Sequence, residues 1–529
     1  MSQEYQLKIT SKKEIEKSVL EKINFNKKHK DSIKILDEIE KISDHLQNRG
    51  YFTNKVDSIL RKENVTTVYY SLGTKVERAI LSVNKEFVFY FNDYKINNNS
   101  VTIPVEKLQS KLLNISKKLD DKGKSFSKVQ LKNISIKKKI LFADLKIIES
   151  KKRTVNRVIV KGYDEFPKSF LKNYFDLKNQ TIFNQQKLGK ISSLSKNLQF
   201  AKEIKPPEVL FTKDSTFLYL YLKKQQNNSF DGILNFASKE NGGILFNGNI
   251  DLKLNNILNT GEKINLFWNS IGEERQEFEL FTEIPYIFNS KFSPEISFSI
   301  YKQDSSFLNT KFDSKLFYNI NPKIKLAFTY NSETSKNLEE TTVNNVETFN
   351  NYFIGLQLQY RIPKNDVFFN DTFFFEINPT LGQRKITLNS ANQFKLEATT
   401  SYIWDFNHKS SLYIKNKTGY LNSDSFINNE LFRIGGAQSV RGYNEQSIFT
   451  SSYSYFNIEY RYLTALEAYF YTITDFGAAK LLTAQKNLFG LGFGYSFFSK
   501  NRNINIGYVV NENLSFKDSK LIVSMSVFF

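Results

Sequence analysis

From Ser229 to the carboxyl end the chain alternates large apolar and polar residues with a period of two, segment after segment, and no other feature constrains its fold as strongly. Ile354, Leu356, Leu358 and Tyr360 alternate with Gly355, Gln357, Gln359 and Arg361. The same period recurs in Ile324 to Tyr330, in Phe456 to Tyr462 and in Leu491 to Phe497. Successive strand residues point to opposite faces, so each run presents one greasy face and one wet face. Aromatics make up 15% of the 529 residues while the mean hydropathy is −0.42, so the rings are interleaved with polar groups, which suits strands better than a helical core.

No run of about 18 apolar residues occurs, which excludes a transmembrane helix on length. A membrane protein of this composition has to be a closed barrel, because only closure satisfies every backbone group in lipid. About sixteen alternating runs of roughly ten residues fit a tilted crossing. They begin near Phe230, Gly243, Lys263, Glu274, Phe292, Leu308, Lys323, Thr348, Thr372, Asn392, Ser410, Ser452, Leu466, Asn487, Arg502 and Leu521. An even number closes an antiparallel barrel. A soluble sandwich rarely sustains this period for about 300 residues, and a propeller would show a repeated blade motif that the chain lacks.

Residues 1–225 read differently. Ile33, Ile35, Leu36, Ile39, Ile42 and Leu46 trace a one-faced helix that stops at Gly50, and Val65 to Leu72 reads as a strand. Val105, Leu108, Leu112, Leu113, Ile115 and Leu119 trace a second helix, with Pro104 suited to its first turn and Gly123 to its end. A third helix, less regular, spans about Lys168 to Phe200. The stretch Val68 to Ile80 resembles Leu145 to Ile159, each an exit strand leading through a polar turn into the next unit, and Phe217 to Leu222 is a third exit strand. The expected organisation is therefore three β-α-α-β-β modules, 1–75, 76–152 and 153–225, before an all-β barrel over 226–529.

Zero cysteines exclude disulfides, thiolate nucleophiles and Cys-ligated metal. The net charge of +20 comes from lysines dispersed along the chain without a recognition helix or stacking platform, so no nucleic-acid partner is expected; a face toward anionic lipid accounts for it equally well. His29, His45 and His408 lack metal-ligand spacing and cannot be placed in a catalytic triad. Gly490, Gly492 and Gly494 share one strand parity and no helix follows, which rules out a phosphate loop. No enzyme activity, cofactor or metal is expected. Met1 to Tyr5 carry no apolar signal core, so the chain is expected to begin at or near a mature terminus.

Between the eleventh and twelfth runs lies Leu431-Phe-Arg-Ile-Gly-Gly-Ala-Gln-Ser-Val-Arg-Gly-Tyr443. A guanidinium in a narrow lumen loses hydration, which costs several kcal/mol unless carboxylates replace the water. Asp475 is the leading partner for Arg441, and Glu459, on the inward parity of its strand beside Arg461, is the second. Gly435, Gly436 and Gly442 allow tight turns and close approach to the wall.

The tip Val440-Arg441-Gly442-Tyr443, preceded by Gly435-Gly436, resembles the signature loop of the BamA/TamA superfamily of outer-membrane assembly and translocation factors. Tyr469 to Gly477 resembles that family's strand thirteen, whose acidic residue holds the loop arginine. Asn487 to Tyr495 resembles its glycine-rich strand fourteen, and Phe529 is a terminal aromatic of the usual kind. The resemblance implies periplasmic POTRA modules, a sixteen-stranded barrel in a Gram-negative outer membrane, and a sixth loop folded into the lumen. Three modules are closer to the TamA-type arrangement than to the five of BamA or the two of two-partner secretion transporters. The resemblance further implies insertion or translocation of client proteins at a seam between the first strand, with Phe230, Gly232 and Leu234, and the last, with Val523, Met525, Val527 and Phe529. The partners implied are the lipid bilayer, unfolded or exported clients, and accessory periplasmic or lipoprotein subunits. A two-partner secretion pore and a passive channel remain as alternatives.

Overall fold

The computed structural model describes every residue except 1–4, 226, 239–243, 272–274, 340–344, 365, 367, 388 and 514–518. It divides into two compact bodies. The first comprises Met1–Arg157, Gln180–Gly189 and Phe211–Phe217; the second comprises Val158–Asn179, Lys190–Leu210 and Leu218–Phe529.

The first body contains two larger sheets and a two-stranded pair, Thr154–Val155 with Thr181–Ile182. In the first sheet, Tyr5–Thr10 runs parallel to the exit strand Val65–Ser71, flanked by Lys28–His29 and Lys55–Lys62. Helix Ser32–Asn48 starts where the Asp31 side chain accepts the Lys34 N–H at 2.8 Å. Its Ile35, Ile39, Ile42 and Leu46 pack on Leu7, Val68 and Tyr70, as the three- and four-residue spacing requires. A short helix, Glu14–Leu20, is the first of the two that the β-α-α-β-β order calls for, at a position not expected from the sequence; its Glu16 turns inward, where it is 8% exposed. Burial alone would raise this carboxyl, but hydrogen bonds from Ser11 Oγ (2.8 Å) and the Leu72 N–H (3.2 Å) more than offset that and hold it below the usual carboxylate range. A depressed folded value stabilises the fold above the ordinary carboxyl value of about 4.5, and that contribution is lost as pH falls through the folded value. Glu16→Ala is therefore expected to cost about 1–3 kcal/mol locally at neutral pH and to remove the acid sensitivity of this sheet, read as hydrogen exchange at Leu72 corrected for intrinsic rates.

The second sheet has the order Lys95–Asn97, Ser100–Pro104, Arg78–Val83, Ile140–Ile148, Lys128–Lys137, again with first and exit strands parallel. Helix Val105–Asp121 covers it with Val105, Leu108, Ile115 and Leu119. This unit departs from the β-α-α-β-β expectation. A 3₁₀ turn, Lys85–Phe91, stands where a first helix was expected, because its aromatic and β-branched run buries Tyr90 and Phe91 directly on the sheet.

A third sheet, Arg157–Lys161, Thr216–Lys224 and Ala201–Phe211, leads into the barrel. The single helix expected over Lys168 to Phe200 is two, Lys168–Asn173 and Gln185–Lys196, interrupted by the strand Thr181–Ile182. Asp176 and Gln180 take φ of +53° and +62° between them, which no right-handed helix tolerates. Phe166, Phe170 and Phe200 form the ring cluster of this unit, with Phe170 and Phe200 edge-to-face at 4.9 Å.

Sixteen antiparallel strands then close into a barrel. They are β1 (Ser229–Ser238), β2 (Ile244–Asn255), β3 (Lys263–Ile271), β4 (Arg275–Glu283), β5 (Phe292–Gln303), β6 (Phe307–Asn321), β7 (Ile324–Asn337) and β8 (Phe349–Pro363). The circuit continues through β9 (Asp371–Ile386), β10 (Ser390–Asp405), β11 (Ser410–Ser423), β12 (Ser452–Ala465), β13 (Ala468–Lys480), β14 (Gln485–Ser499), β15 (Arg502–Asn511) and β16 (Lys520–Phe528). Each starts within two residues of its expected position; the expected starts Gly243 and Glu274 themselves lie outside the described residues. Leu356, Phe328 and Phe493 stand outward and exposed, while the inner face carries ion pairs such as Glu283 with Lys263 (3.0 Å) and Lys325 (3.1 Å). An apolar exterior over a charged bore is the polarity that a transmembrane barrel needs.

The chain enters β1 at what is here called the near end. There the third unit grips the β2–β3 connection: Tyr163 Oη donates to Asn259 Oδ1 and accepts from Asn256 Nδ2, both at 2.7 Å. Phe170 packs edge-on to Tyr286 of the β4–β5 connection at 5.0 Å.

Candidate functional site

The connection 424–451 between β11 and β12 folds into the bore, where Phe432–Ile434 and Ile448–Thr450 pair as a small hairpin. Val440 at its tip is fully buried beside Ile434, Tyr455, Ala479 and Leu488. Packing of that kind carries the tip to the wall, and backbone shape completes the approach. Gly442 adopts φ +97°, and a Cβ there would meet the β15 backbone at Val510 at 3.1 Å. On the wall side, a Cβ at Gly490 of β14 would lie 2.3 Å from the Arg441 carbonyl oxygen, so only glycine leaves room for the loop.

Arg441 is consequently pressed against β12 and β13. Its Nε and Nη2 donate to the two oxygens of Asp475 at 2.8 and 2.6 Å, a bidentate pair, and its own backbone N–H adds a third bond at 2.8 Å. Nη1 donates to Glu459 Oε1 at 2.5 Å. The other oxygen of Glu459 accepts from Arg461 Nε at 2.8 Å, so two guanidiniums and two carboxylates form one chain. Asp475 has no exposed surface and Glu459 is 8% exposed. Buried ions with every oxygen matched offset the desolvation that either would incur alone. Tyr443 reaches past the cluster: its hydroxyl donates to Glu512 and accepts the Phe489 N–H at 3.1 Å. Gly435 and Gly436, both at positive φ, turn the chain back, and the Gly435 N–H donates to Ser439 Oγ at 3.1 Å.

Sequence reasoning missed a second anchor. Glu430 receives hydrogen bonds from Arg384 of β9 and, at 2.8 Å, from Gln393 of β10, while Arg384 Nη2 also donates to Ser425 Oγ at 2.7 Å. Asn429 donates to Ser335 Oγ of β7 at 2.6 Å, and its carbonyl accepts from Asn309 of β6 at 2.8 Å. The signal was available: Arg384 sits on the inward parity of β9, and Glu430 is the acid nearest the start of the motif. The tip also reaches β4, where Arg275 donates to the Glu445 carbonyl at 2.8 Å and Glu277 accepts from Gln446 at 2.7 Å. The loop therefore spans the bore from β4 to β13. Arg384→Met should leave Glu430 buried without its cation, a loss of about 3–5 kcal/mol, and should make residues 424–433 accessible to added protease in the folded barrel.

The expected seam is weaker than its neighbours. β1 and β16 pair at Ser229↔Phe528 and Phe230↔Val527, with one further bond from the Phe529 N–H to the Asn228 carbonyl at 3.0 Å. By contrast β1 follows β2 along its whole length, Ser229 to Ser238, and β16 follows β15 from Val527 to Lys520. Gly232, Leu234, Val523 and Met525, expected as seam residues, make no ladder pair across it. The ladder between β1 and β16 ends at Phe230↔Val527.

The chain thus folds as α/β units followed by a closed sixteen-strand barrel whose bore is crossed by a buried Arg-Gly-aromatic loop. Residues 300–497 match the family model described as haemolysin secretion/activation protein ShlB/FhaC/HecB. The fold is similar to that of CdiB from Escherichia coli, with a TM-score of 0.53 and 12% identity over 93% of this chain and 98% of that one. CdiB from Acinetobacter baumannii gives the same score and identity over 93% and 97%. No curated protein matches the sequence.

Proposed function

We propose that the protein is a translocase that exports a client polypeptide across the outer membrane through the bore, with the amino-terminal units on the periplasmic side. The observation that carries this reading is the loop itself. The bore already accommodates a polypeptide hairpin whose polar groups are matched by lumen side chains at several points, among them Arg441 to Asp475 and Asn309 to Asn429. A client segment of similar width fits once the loop withdraws, because the lumen offers it donors and acceptors in place of water. The family-model match to secretion/activation proteins supports the same reading. Depletion of the protein followed by comparison of the surface and secreted proteomes tests it: loss of one or a few exported proteins is expected, and unchanged export would overturn it.

A second reading is favoured by the seam. Two ladder pairs leave the inner edges of β1 and β16 open, and such an edge can template a nascent strand by β-augmentation. An insertase of this kind would lose many outer-membrane barrels on depletion, an outcome that the same proteome separates from the first. The four-, five- and three-stranded sheets before the barrel fit the three-module arrangement we favour, in which extended clients pass along the sheet edges toward the near end.

A further inference from the structure

In the connection between β8 and β9, the described Phe368 and Phe369 reach across the near end of the bore. Phe368 packs edge-on against Tyr469 of β13 with ring centroids 4.7 Å apart and lies 5.2 Å from Phe498 of β14. Phe369 lies 5.3 Å from Tyr469, and the Arg461 guanidinium of β12 sits 4.2 Å from its ring centre. Strands β12 to β14 are four to six places round the ring from β8, so a connection touching them runs as a chord through the lumen. Its base is clamped in that direction. Arg361 and Asp371 form a bidentate pair (3.0 and 2.7 Å), the Lys364 N–H donates to the Asn370 carbonyl at 2.9 Å, and Lys364 Nζ reaches Asp405 at 2.7 Å. On the other side lies a cavity of about 1080 Å³ bounded by Phe368, Phe498, Phe528, Phe170 and Phe200.

We infer that Phe368 and Phe369 form a second plug: an aromatic strap that closes the bore at the near end and is coupled, through Arg461 and Glu459, to the loop held at Arg441. Two adjacent phenylalanines at a turn are unfavourable in water, and here their partners are rings and a cation on the opposite wall. Such contacts hold without a hydrogen-bonded ladder, so the strap can leave and return without opening the barrel. Phe498 also packs on Phe528 at 5.9 Å, beside the Ser229↔Phe528 pair, which puts the strap in touch with the seam. Occlusion stands on this geometry alone; its meaning for export rests on the function proposed above.

Planar-bilayer recording of the full-length protein tests the strap. Phe368→Ala combined with Phe369→Ala should raise mean conductance several-fold over the unaltered protein at unchanged heat-resistant mobility, and equal conductance would overturn the inference. Because the chain has no cysteine, Phe368→Cys with Phe498→Cys gives a reversible lock that does not depend on tolerating the alanines. Oxidation should suppress openings and reductant restore them; failure of the pair to crosslink, or conductance indifferent to redox, would equally contradict a strap on this wall. Client secretion is scored separately, so conductance that responds while secretion does not would retire the export reading and leave the plug standing.

Discussion

Arg441→Ala lowers the barrel's stability by about 3–5 kcal/mol and frees the loop from the bore; this is the expected result, and its size follows from what is left behind. Asp475 is fully buried and would keep the backbone N–H of residue 441 while losing both guanidinium bonds. Glu459 would retain Arg461, so most of the penalty falls on Asp475. Arg441→Lys should recover part of the loss, since an ammonium restores charge but not the bidentate geometry. Thermal unfolding in detergent, read as heat-modifiable electrophoretic mobility, measures the effect, while hydrogen exchange in Ser32–Asn48 should stay as it was. A variant with the mobility and melting of the parent would refute the anchoring role.

Gly490→Val should produce a comparable release of the loop with every charge in place. A Cβ at residue 490 would come within 2.3 Å of the Arg441 carbonyl, a backbone atom that no rotamer change can move aside. Overpacking of this kind costs about 1–3 kcal/mol, and here the loop can relieve it by withdrawing. Combined with Arg441→Ala the two effects should fall well short of additive, because either one already separates the same surfaces. Full additivity would show that Gly490 acts on the β14 strand itself and not through the loop.

The barrel was legible in the sequence because period-two alternation is a local property, set wherever one face meets lipid and the other meets water. Ile354 to Arg361 shows this in a single line, and the strand boundaries followed. The loop was legible for another reason. A buried arginine demands acids on inward parities, and Asp475 and Glu459 were the acids available on the neighbouring strands. What escaped the sequence depends on long-range closure. Ladder register at the seam is fixed by how sixteen strands twist and meet, so nothing in Gly232 or Met525 announced that they would be left without a pair there. Arg384 with Glu430, and Phe368 with Tyr469, join segments whose distance is decided only once the ring is complete. The split of the expected helix at Asp176 and Gln180 came from left-handed backbone in ordinary polar residues, for which composition carries a weak signal.

Photo-crosslinking from β8 to a client stalled during export probes the central claim most directly, because adjacent residues of that strand face opposite worlds. Gln359 points into the bore beside Glu376, and Leu356 points to lipid at 67% exposure. With the crosslinker at residue 359 the client should be captured, and with it at residue 356 it should not. Capture from Phe230 and Leu521 at the seam, with residue 359 silent, would mean that clients pass beside the bore and not through it.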